Sequence, residues 1–294
     1  MKYQNIVKAK FIERENRFVA KALIYADSTE NFCGVPVKVH VKNTGRCKEL
    51  LVPGATIYLE DFEGRIGSRK MRYSLVAVEK QIETVNEHGA AKWETLLINM
   101  DSQAPNKVVH EALLSGKLVL PGFEQRFAGE AIKETGANLI VRPECTYGNS
   151  RFDFYVETSE IGFETKAALR KAFIEVKGVT LEEDGFARFP DAPTERGLKH
   201  IEELIKAAGE GYDAYIIFVI QMKKIHTFGP NYETHPAFGM ALQHATEKGV
   251  QVLAYDCKAT RDSLVLDGPV KMDLSQPDRT ACHRQIKHSA KPAD

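Results

Sequence analysis

The chain has 294 residues, of which 43% are hydrophobic and 27% charged, enough for one large domain or two ordinary ones with hydrophobic cores. Its 40 basic and 40 acidic residues give a formal net charge of +0, which excludes a strongly basic nucleic-acid-binding coat but leaves room for a local basic patch. The five cysteines form no CxxC pair and no stretch reaches the roughly 18 apolar residues of a membrane helix, so we expect a soluble, cytoplasmic protein that does not contact membranes.

Residues 1–84 have the pattern of short strands separated by turns. Four runs are rich in β-branched and aromatic residues, and the turn sequences NTG, VPG and EGRIG punctuate the region; the runs are RFVAKALIYA, VPVKVHVKN, ATIYLEDF and MRYSLVAVE. We predict no helix before about residue 100. The expected architecture is all-β, an OB-like five-stranded barrel.

Residues 85–274 follow a different pattern, in which helices alternate with strands. Helical spacing predicts helices over APNKVVHEALLSG, FAGEAIKETG, RGLKHIEELIKAAG and AFGMALQHATEKG. The run AYIIFVIQ between the last two is apolar throughout, as expected for a strand covered on both faces. This order predicts an α/β domain with a mixed sheet. Residues 275–294 are polar, and we expect a disordered tail there.

The segment FIEVKGVT places two opposite charges inside a run that otherwise suits burial. Because side chains alternate along a strand, Glu175 and Lys177 are expected to share one face. Desolvation offsets most of the attraction within a buried ion pair, so such a pair often marks a chemical site. A surface strand with an incidental ion pair is the alternative, because Glu-x-Lys is a short motif.

Two further carboxylates come from the preceding strands. Asp153 lies in SRFDFYV between Phe152 and Phe154, whose rings are expected to face away from it, and Glu144 lies at the end of a strand in VRPECTYG. Mg²⁺ is bound by a few carboxylates together with water and substrate phosphate. Three acids and one lysine from successive strands therefore predict a site that could cleave phosphodiesters.

Several segments resemble known families. Asp153 followed by Glu175-Val176-Lys177 resembles the PD-(D/E)XK nuclease superfamily. A longer pattern, from Phe11 to roughly Tyr255, resembles the sugar fermentation stimulation protein A (SfsA) family, in the segments NRFVA, HVKNTGRCKELLVPG, APNKVVHEAL, SRFDF, IEVKGVTL and FPDAPTERGLKHIEEL. This resemblance implies an OB-like domain over residues 1–84 and a PD-(D/E)XK nuclease-like domain over residues 85–274. It also implies non-sequence-specific DNA binding and a regulatory role in maltose metabolism.

The resemblance also implies roles for the charged residues. Asp153 and Glu175 would bind Mg²⁺ or Mn²⁺, with Glu144 as a third carboxylate. Lys177 would be the catalytic lysine of a Mg²⁺-dependent nuclease. The oligomeric state is left open, with a homodimer as one option.

Arg196 and His200 lie four residues apart and therefore share one face of the predicted helix, behind Thr194 as its N-cap. Both are candidate nucleic-acid-binding residues, because Arg196 could clamp a phosphate and His200 could bind a phosphate or relay a proton. A salt bridge near the helix start and an ordinary surface histidine are the alternatives.

In the first domain, HVKNTGRC is either a plain turn or a phosphate-binding loop that presents backbone N–H groups. The candidate nucleic-acid-binding residues there are Arg14, Arg17, Lys42, Asn43 and Arg46. Phe18 is expected to pack in the core and Trp93 between the domains, with stacking on a base as the alternative for each. Lys42 stands where the family usually has proline, and His235 where it often has aspartate, ahead of Pro236.

Three functions follow from these patterns: a Mg²⁺-dependent nuclease, a DNA-binding regulatory factor that uses the same groove without cutting, and a relic whose carboxylates bind only a metal. The complete Asp/Glu/Lys set favours the first, because a purely binding protein gains nothing from three anions facing phosphates. The neutral net charge and the lack of a helix-turn-helix pattern argue against a sequence-reading repressor.

Overall fold

A computed structural model describes residues 1–26, 32–43, 45–85, 90–123, 138–159 and 170–276. The predicted helix over residues 127–136 and most of the predicted tail, residues 277–294, lie outside the described residues. None of the described helices combines the length and the apolar character that a bilayer-spanning segment needs.

The N-terminal part is a six-stranded sheet in which five strands close into a ring. Antiparallel pairing gives the order β3-β2-β1-β4-β5-β6, and a parallel pairing of β3 with β5, at Val39 and Tyr73, joins the two sides. Alternating small and branched apolar side chains fill the ring, among them Ala9, Ala22 and Ile57. The strands are β1 (Ile6–Asn16), β2 (Val19–Tyr25), β3 (Phe32–His40), β4 (Thr56–Asp61), β5 (Tyr73–Val85) and β6 (Ala91–Asn99).

The sheet continues past residue 84, where the sequence pattern placed the domain boundary. Strand β5 extends beyond the ring and forms a long antiparallel hairpin with β6, from the pair Val85–Ala91 to the pair Ala77–Asn99. The first helix begins only at Ala104. The predicted boundary therefore falls between two paired strands of the first sheet.

The C-terminal part is built on a second six-stranded sheet, of order β15-β14-β12-β9-β8-β7. Strands β9, β12 and β14 are parallel and the outer pairings are antiparallel, so the predicted mixed sheet is confirmed. These strands are β7 (Asn138–Tyr147), β8 (Ser150–Ser159), β9 (Lys171–Val179), β12 (Asp213–Ile220), β14 (Gln251–Thr260) and β15 (Ser263–Pro269).

A small additional sheet was not predicted. Its four short strands have the order β10-β11-β13-β16. Along the chain, β10 and β11 follow β9, β13 follows β12, and β16 follows the edge strand β15. Each has two to four residues, too few for a periodicity to show in the sequence. They are β10 (Leu181–Glu183), β11 (Phe186–Phe189), β13 (Thr227–Pro230) and β16 (Lys271–Met272).

Helices cover both faces of the C-terminal sheet. Helix α1 (Ala104–Leu114) packs on the face that carries Ile174 and Val176. Helices α2 (Glu195–Gly209) and α3 (Pro236–Glu247) pack on the face that carries Phe173 and Phe218. Strand β12 lies between them and is buried at every residue after Asp213, which confirms the prediction for AYIIFVIQ. Glu175 and Lys177 thus lie on a central strand, on the α2 side.

Candidate active site and nucleic-acid surface

Asp153 lies where strands β8 and β9 separate. The last backbone pair between them joins Phe154 to Ile174, and one residue further the Oδ2 atom of Asp153 accepts the N–H of Val176 at 2.7 Å. The carboxylate therefore takes the place of a strand partner. Its Oδ1 atom accepts a hydrogen bond of 2.6 Å from Nδ2 of Asn106, on the first turn of α1.

The carboxylate of Glu175 lies close enough to Asp153 to influence the pKa of that carboxyl. Burial raises the pKa of Asp153, and the neighbouring Glu175 carboxylate raises it further. The hydrogen bonds from Val176 and Asn106 and the charge of Lys177 act in the opposite direction. Both acids thus lie at the part of the sheet where β8 and β9 separate.

The side chain of Glu175 is 5% exposed, and its two oxygens differ. Oε1 accepts from Nζ of Lys177 at 2.6 Å and lies 2.5 Å from Nδ1 of His200. Oε2 is buried and has no hydrogen-bond partner among the described residues. Burial raises the pKa of Glu175, but His200 and Lys177 lower it by more, so the group lies below its ordinary pKa and remains a carboxylate.

The sheet faces predicted for the side chains of β9 are confirmed, whereas the prediction that Phe152 and Phe154 share a face of β8 is wrong. Glu175 and Lys177 share a face and touch. Phe152 and Phe154 do not share one: Phe152 packs against Phe173 on the α2 side, and Phe154 packs on the α1 side. The strand leaves the regular pleat where it separates from β9, which is also where Asp153 turns to cap Val176.

Glu144 is not brought to the other two acids. It has a φ of 54°, its side chain is 69% exposed, and its carboxylate lies 3.5 Å from Arg151. Within the described ranges, no three His, Cys, Asp or Glu side chains are placed together to hold one metal ion. The site as described consequently has two carboxylates, Asp153 and Glu175, where the sequence predicted three.

His200 reaches the site from α2. Thr194 caps this helix as predicted, its hydroxyl accepting from the N–H of Gly197, and His200 is buried. Its Nε2 atom accepts from Nε of the exposed Arg196 at 3.4 Å, while Nδ1 faces Glu175. This network fits a neutral ring with the proton on Nδ1. The residue predicted to meet phosphate or relay a proton thus holds the carboxylate of the Glu-x-Lys motif.

Two polar residues in this region carried no assigned role in the sequence analysis. Asn106 holds Asp153, and the signal was an amide in the first turn of the APNKVVHEAL segment. Gln221, at the end of β12, donates from Nε2 to the carbonyl oxygens of Asn99 and Asp101, which joins the two parts of the molecule. No local pattern distinguishes that glutamine from an exposed one.

Arg14 is committed to the backbone of the loop after β3. Its guanidinium donates to the carbonyl oxygens of Arg17, Asn43, Gly45 and Arg46, at 2.6 to 2.9 Å. The Nε atom of Arg14 is buried and has no partner among the described residues. The side chain therefore fixes the β1–β2 turn against this loop.

The other candidates in the first domain divide into internal and exposed residues. Lys42 forms an ion pair of 2.8 Å with the buried Asp101, and Asn43 accepts from the N–H of Gly45 through its own side chain. Arg17 and Arg46 are exposed. Of the five, Arg17 and Arg46 are the residues whose cationic groups face solvent.

Two aromatic residues differ from expectation. Phe18, predicted to pack in the core, is 50% exposed at the turn between β1 and β2. Trp93, predicted to lie between the domains, is 66% exposed on β6. Both predictions are wrong, because residue type indicates burial only on average.

Two neighbouring cavities adjoin the loop after β3. One, of about 340 Å³, lies on the surface of the first domain and is lined by Arg14, Asn16, Arg17, Gly45, Arg46, Cys47, Lys48 and Leu51. The other, of about 190 Å³, lies between the domains and reaches residues 178–181, next to Lys177. Gly45 lines both. We call them the surface pocket and the interdomain cavity.

Comparison with known proteins places the chain in a family. The model of the sugar fermentation stimulation protein RE domain matches residues 103–263, and that of the SfsA N-terminal OB domain matches residues 12–87. Sugar fermentation stimulation protein homologs from Clostridium beijerinckii and Desulfitobacterium hafniense are each 47% identical, over 90% of this chain and 96% and 94% of theirs. The structure of Pyrococcus furiosus SfsA in complex with Ca²⁺ is similar at a TM-score of 0.67 and 25% identity, covering 93% of this chain and 98% of that chain.

These matches confirm that the ring formed by strands β1 to β5 is an OB domain and that the resemblance covers most of the chain. The chain belongs to the sugar fermentation stimulation protein (SfsA) family.

Proposed function

We propose that this protein is a divalent-metal-dependent nuclease of the PD-(D/E)XK type that acts on DNA without sequence specificity. The observation that carries the proposal is Oε2 of Glu175, a buried carboxylate oxygen without a hydrogen-bond partner among the described residues. A second carboxylate, that of Asp153, lies on the neighbouring strand and accepts the N–H of Val176. Leaving a charged oxygen buried and unpaired costs free energy, so its retention is best explained by a ligand that binds there.

The donor set suits Mg²⁺ or Mn²⁺. These hard cations take one or two protein carboxylates and complete their coordination with water and phosphate oxygens, so Asp153 and Glu175 suffice. Such a cation polarises a phosphoryl oxygen and lowers the pKa of a bound water. The Ca²⁺ in the structure of the Pyrococcus furiosus relative is also a hard cation that prefers oxygen ligands.

The remaining residues position and neutralise charge. The side chain of Lys177 is 16% exposed, so its ammonium lies next to Glu175 and still faces the opening of the site. There it can orient an attacking water or stabilise charge that develops on the phosphate. His200 and Lys177 together occupy Oε1 of Glu175, which leaves Oε2 for the cation.

A DNA-binding factor that does not cut, linked to sugar (maltose) metabolism, is the second candidate. The names of the relatives favour it, because they refer to stimulation of sugar fermentation. The placement of Glu144 away from the pair also favours it, since the cluster then holds fewer acids than the sequence predicted. The exposed Arg17 and Arg46 serve either function.

The test is a cleavage assay on single-stranded DNA, duplex DNA and RNA, each with Mg²⁺, Mn²⁺ or EDTA. We expect metal-dependent cleavage by the wild type and a loss of roughly 100-fold or more in Glu175→Gln and Lys177→Ala, with DNA binding retained. Glu202→Gln and Lys248→Ala, at exposed positions of the same domain, are the matched controls. Unchanged cleavage in Glu175→Gln would exclude this site, and a wild type inactive on every substrate would leave the DNA-binding factor.

A further inference from the structure

The surface pocket is strongly cationic. Four of the residues that line it are basic, namely Arg14, Arg17, Arg46 and Lys48, and none of the described residues that line it is acidic. The protein as a whole carries a formal net charge of +0, so this concentration of one sign is local. A concave basic surface attracts anions, and phosphate is the anion that arginine recognises best.

The pocket is preorganised. The guanidinium of Arg14 holds four carbonyl oxygens of the β1–β2 turn and of the loop after β3, so both walls are fixed before any ligand arrives. Such preorganisation lowers the entropic cost of binding. The Nε atom of Arg14, buried and unpaired among the described residues, leaves one donor for a ligand.

The interdomain cavity lies beside this pocket, because Gly45 lines both. It is also lined by Gly178, Val179 and Thr180, which follow Lys177 in the sequence. Its remaining lining includes the polar side chains of Asn43, Ser102, Arg188, Asp191 and Gln221. The interdomain cavity therefore has a largely polar lining that comes from both domains and includes the residues that follow the Glu-x-Lys motif.

We propose that the surface pocket binds a phosphate group of an unpaired DNA strand and that the strand continues past the interdomain cavity to Glu175 and Lys177. This inference rests on the proposed function, and it adds the form of the substrate and the point where it is anchored. Phe18, half-exposed in the turn beside Arg17, offers a face on which a base stacks.

The dimensions of the two cavities favour a single strand. Volumes of about 340 and 190 Å³ lie at or below the lower limit for small-molecule sites, so each accommodates about one nucleotide. A duplex cannot enter cavities of this size, whereas an unpaired strand can insert one nucleotide at a time.

The test is binding of a fluorescent oligonucleotide of about 12 nucleotides in EDTA, followed by anisotropy. Arg46→Ala and Lys48→Ala are each expected to weaken binding of the single strand about 5- to 10-fold and to reduce the slope of log K against log salt by about 0.7. Arg261→Ala and Lys248→Ala, exposed positions outside both cavities, are the matched controls and should bind like the wild type. The duplex of the same sequence should bind at least about 10-fold more weakly than the single strand.

Pocket variants that bind as tightly as their controls would overturn the proposal, and so would a duplex bound as tightly as the single strand. Because EDTA prevents metal-dependent cleavage, this result does not depend on whether the protein is a nuclease. Failure of the proposed function alone would appear as normal single-strand binding without cleavage in Mg²⁺.

Discussion

Nδ1 of His200 lies 2.5 Å from Oε1 of Glu175, and fewer than a tenth of either side chain is exposed. The same oxygen accepts from Nζ of Lys177, so Oε1 is fully occupied while Oε2 has no partner among the described residues. The two donors fix the rotation of the carboxylate. His200 is therefore a positioning residue, because it acts on Glu175 and not on the phosphate.

Replacing His200 by alanine should impair both cleavage and stability. We expect His200→Ala to lower cleavage about 10- to 100-fold, because the carboxylate loses a fixed orientation. The free energy of unfolding should fall by about 1–3 kcal/mol, because a buried acceptor loses its donor. His200→Gln, which retains an N–H donor, should recover part of both.

The measurements are cleavage rates with Mg²⁺ and unfolding in urea. Metal titration distinguishes a positioning role from a merely structural one, because loss of a merely structural residue would leave the metal affinity unchanged. His200→Ala should bind Ca²⁺ or Mg²⁺ more weakly than a surface variant such as Glu202→Gln. Equal metal affinity in the two variants would show that His200 does not orient Glu175.

Neutralising Asp153 should stabilise the metal-free protein. Burial and the neighbouring Glu175 raise the pKa of Asp153, so its charged form costs free energy at neutral pH. In Asp153→Asn the amide oxygen can still accept from Val176, and the amide of Asn106 can turn its own oxygen toward the new NH₂ group. We expect the free energy of unfolding of Asp153→Asn to be about 1 kcal/mol higher than that of the wild type at pH 7. Cleavage should be lost, so the substitution increases stability at the expense of activity.

The sign of the pH dependence follows from the raised pKa of Asp153. Above that pKa the buried carboxyl of the wild type is charged, which lowers the stability of the wild type. The stability advantage of Asp153→Asn over the wild type is then at its full value. As the pH falls below that pKa, the wild-type carboxyl becomes neutral as well and the gain disappears. Urea unfolding without metal, across this pH range, measures the difference. A gain that persisted unchanged into acid would show that the charge of Asp153 is not the cause.

Much of this architecture could be predicted from the sequence. The 3.6-residue spacing of α2 and the continuous apolar run of β12 indicated elements whose burial dominates their structure. Alternation also placed Glu175 and Lys177 together, because β9 is regular up to that point. The predicted boundary near residue 85 falls within the hairpin of β5 and β6, whose pairing the sequence pattern did not indicate.

The positions of Glu144 and Phe152 could not be predicted, for a different reason. Both lie on β7 or β8 close to the point where β8 leaves β9, and Glu144 has a positive φ. Alternation assumes a regular pleat, which ends there. Likewise, three of the four carbonyl partners of Arg14 lie 29 to 32 residues away, and Asp101, the partner of Lys42, lies 59 residues away. No local motif records separations of this length.

Lys42 is expected to stabilise the fold and not to bind DNA directly. Its side chain is 12% exposed and that of its partner Asp101 is 1% exposed, so Lys42→Ala would leave a buried carboxylate without its cation. We expect a loss of about 3–5 kcal/mol in the free energy of unfolding. The matched control is Lys38→Ala, whose side chain is 66% exposed and lies 3.6 Å from Glu15, where a loss of less than about 1 kcal/mol is expected.

Urea unfolding and oligonucleotide binding at a temperature where both variants are folded separate the two roles of Lys42. A stability equal to that of the wild type, combined with weaker binding, would make Lys42 a phosphate contact after all, as the sequence suggested.

Gly45 is where the OB domain meets the loop that precedes α2. A Cβ atom there would overlap Oδ2 of Asp191, the atom that accepts the N–H of Arg46 at 2.9 Å. Gly45→Ala should therefore break this contact between the domains and lower the free energy of unfolding by about 1–3 kcal/mol. Gly209→Ala, at the end of α2 with open space around it, is the matched control and should be neutral or stabilising by up to about 1 kcal/mol.

A double-mutant cycle with Asp191→Ala identifies the cause of the Gly45→Ala loss. If the overlap with Asp191 is responsible, Gly45→Ala should cost less once that side chain has been shortened, because the closest overlap, with Oδ2 of Asp191, is then gone. The contact of 2.9 Å with Oδ1 of Asn43 remains and keeps part of the cost. Unfolding in urea gives the four free energies. If Gly45→Ala lowers the free energy of unfolding equally with and without the Asp191 carboxylate, the glycine is needed for the turn alone. The contact with Asp191 would then not be the cause of the loss.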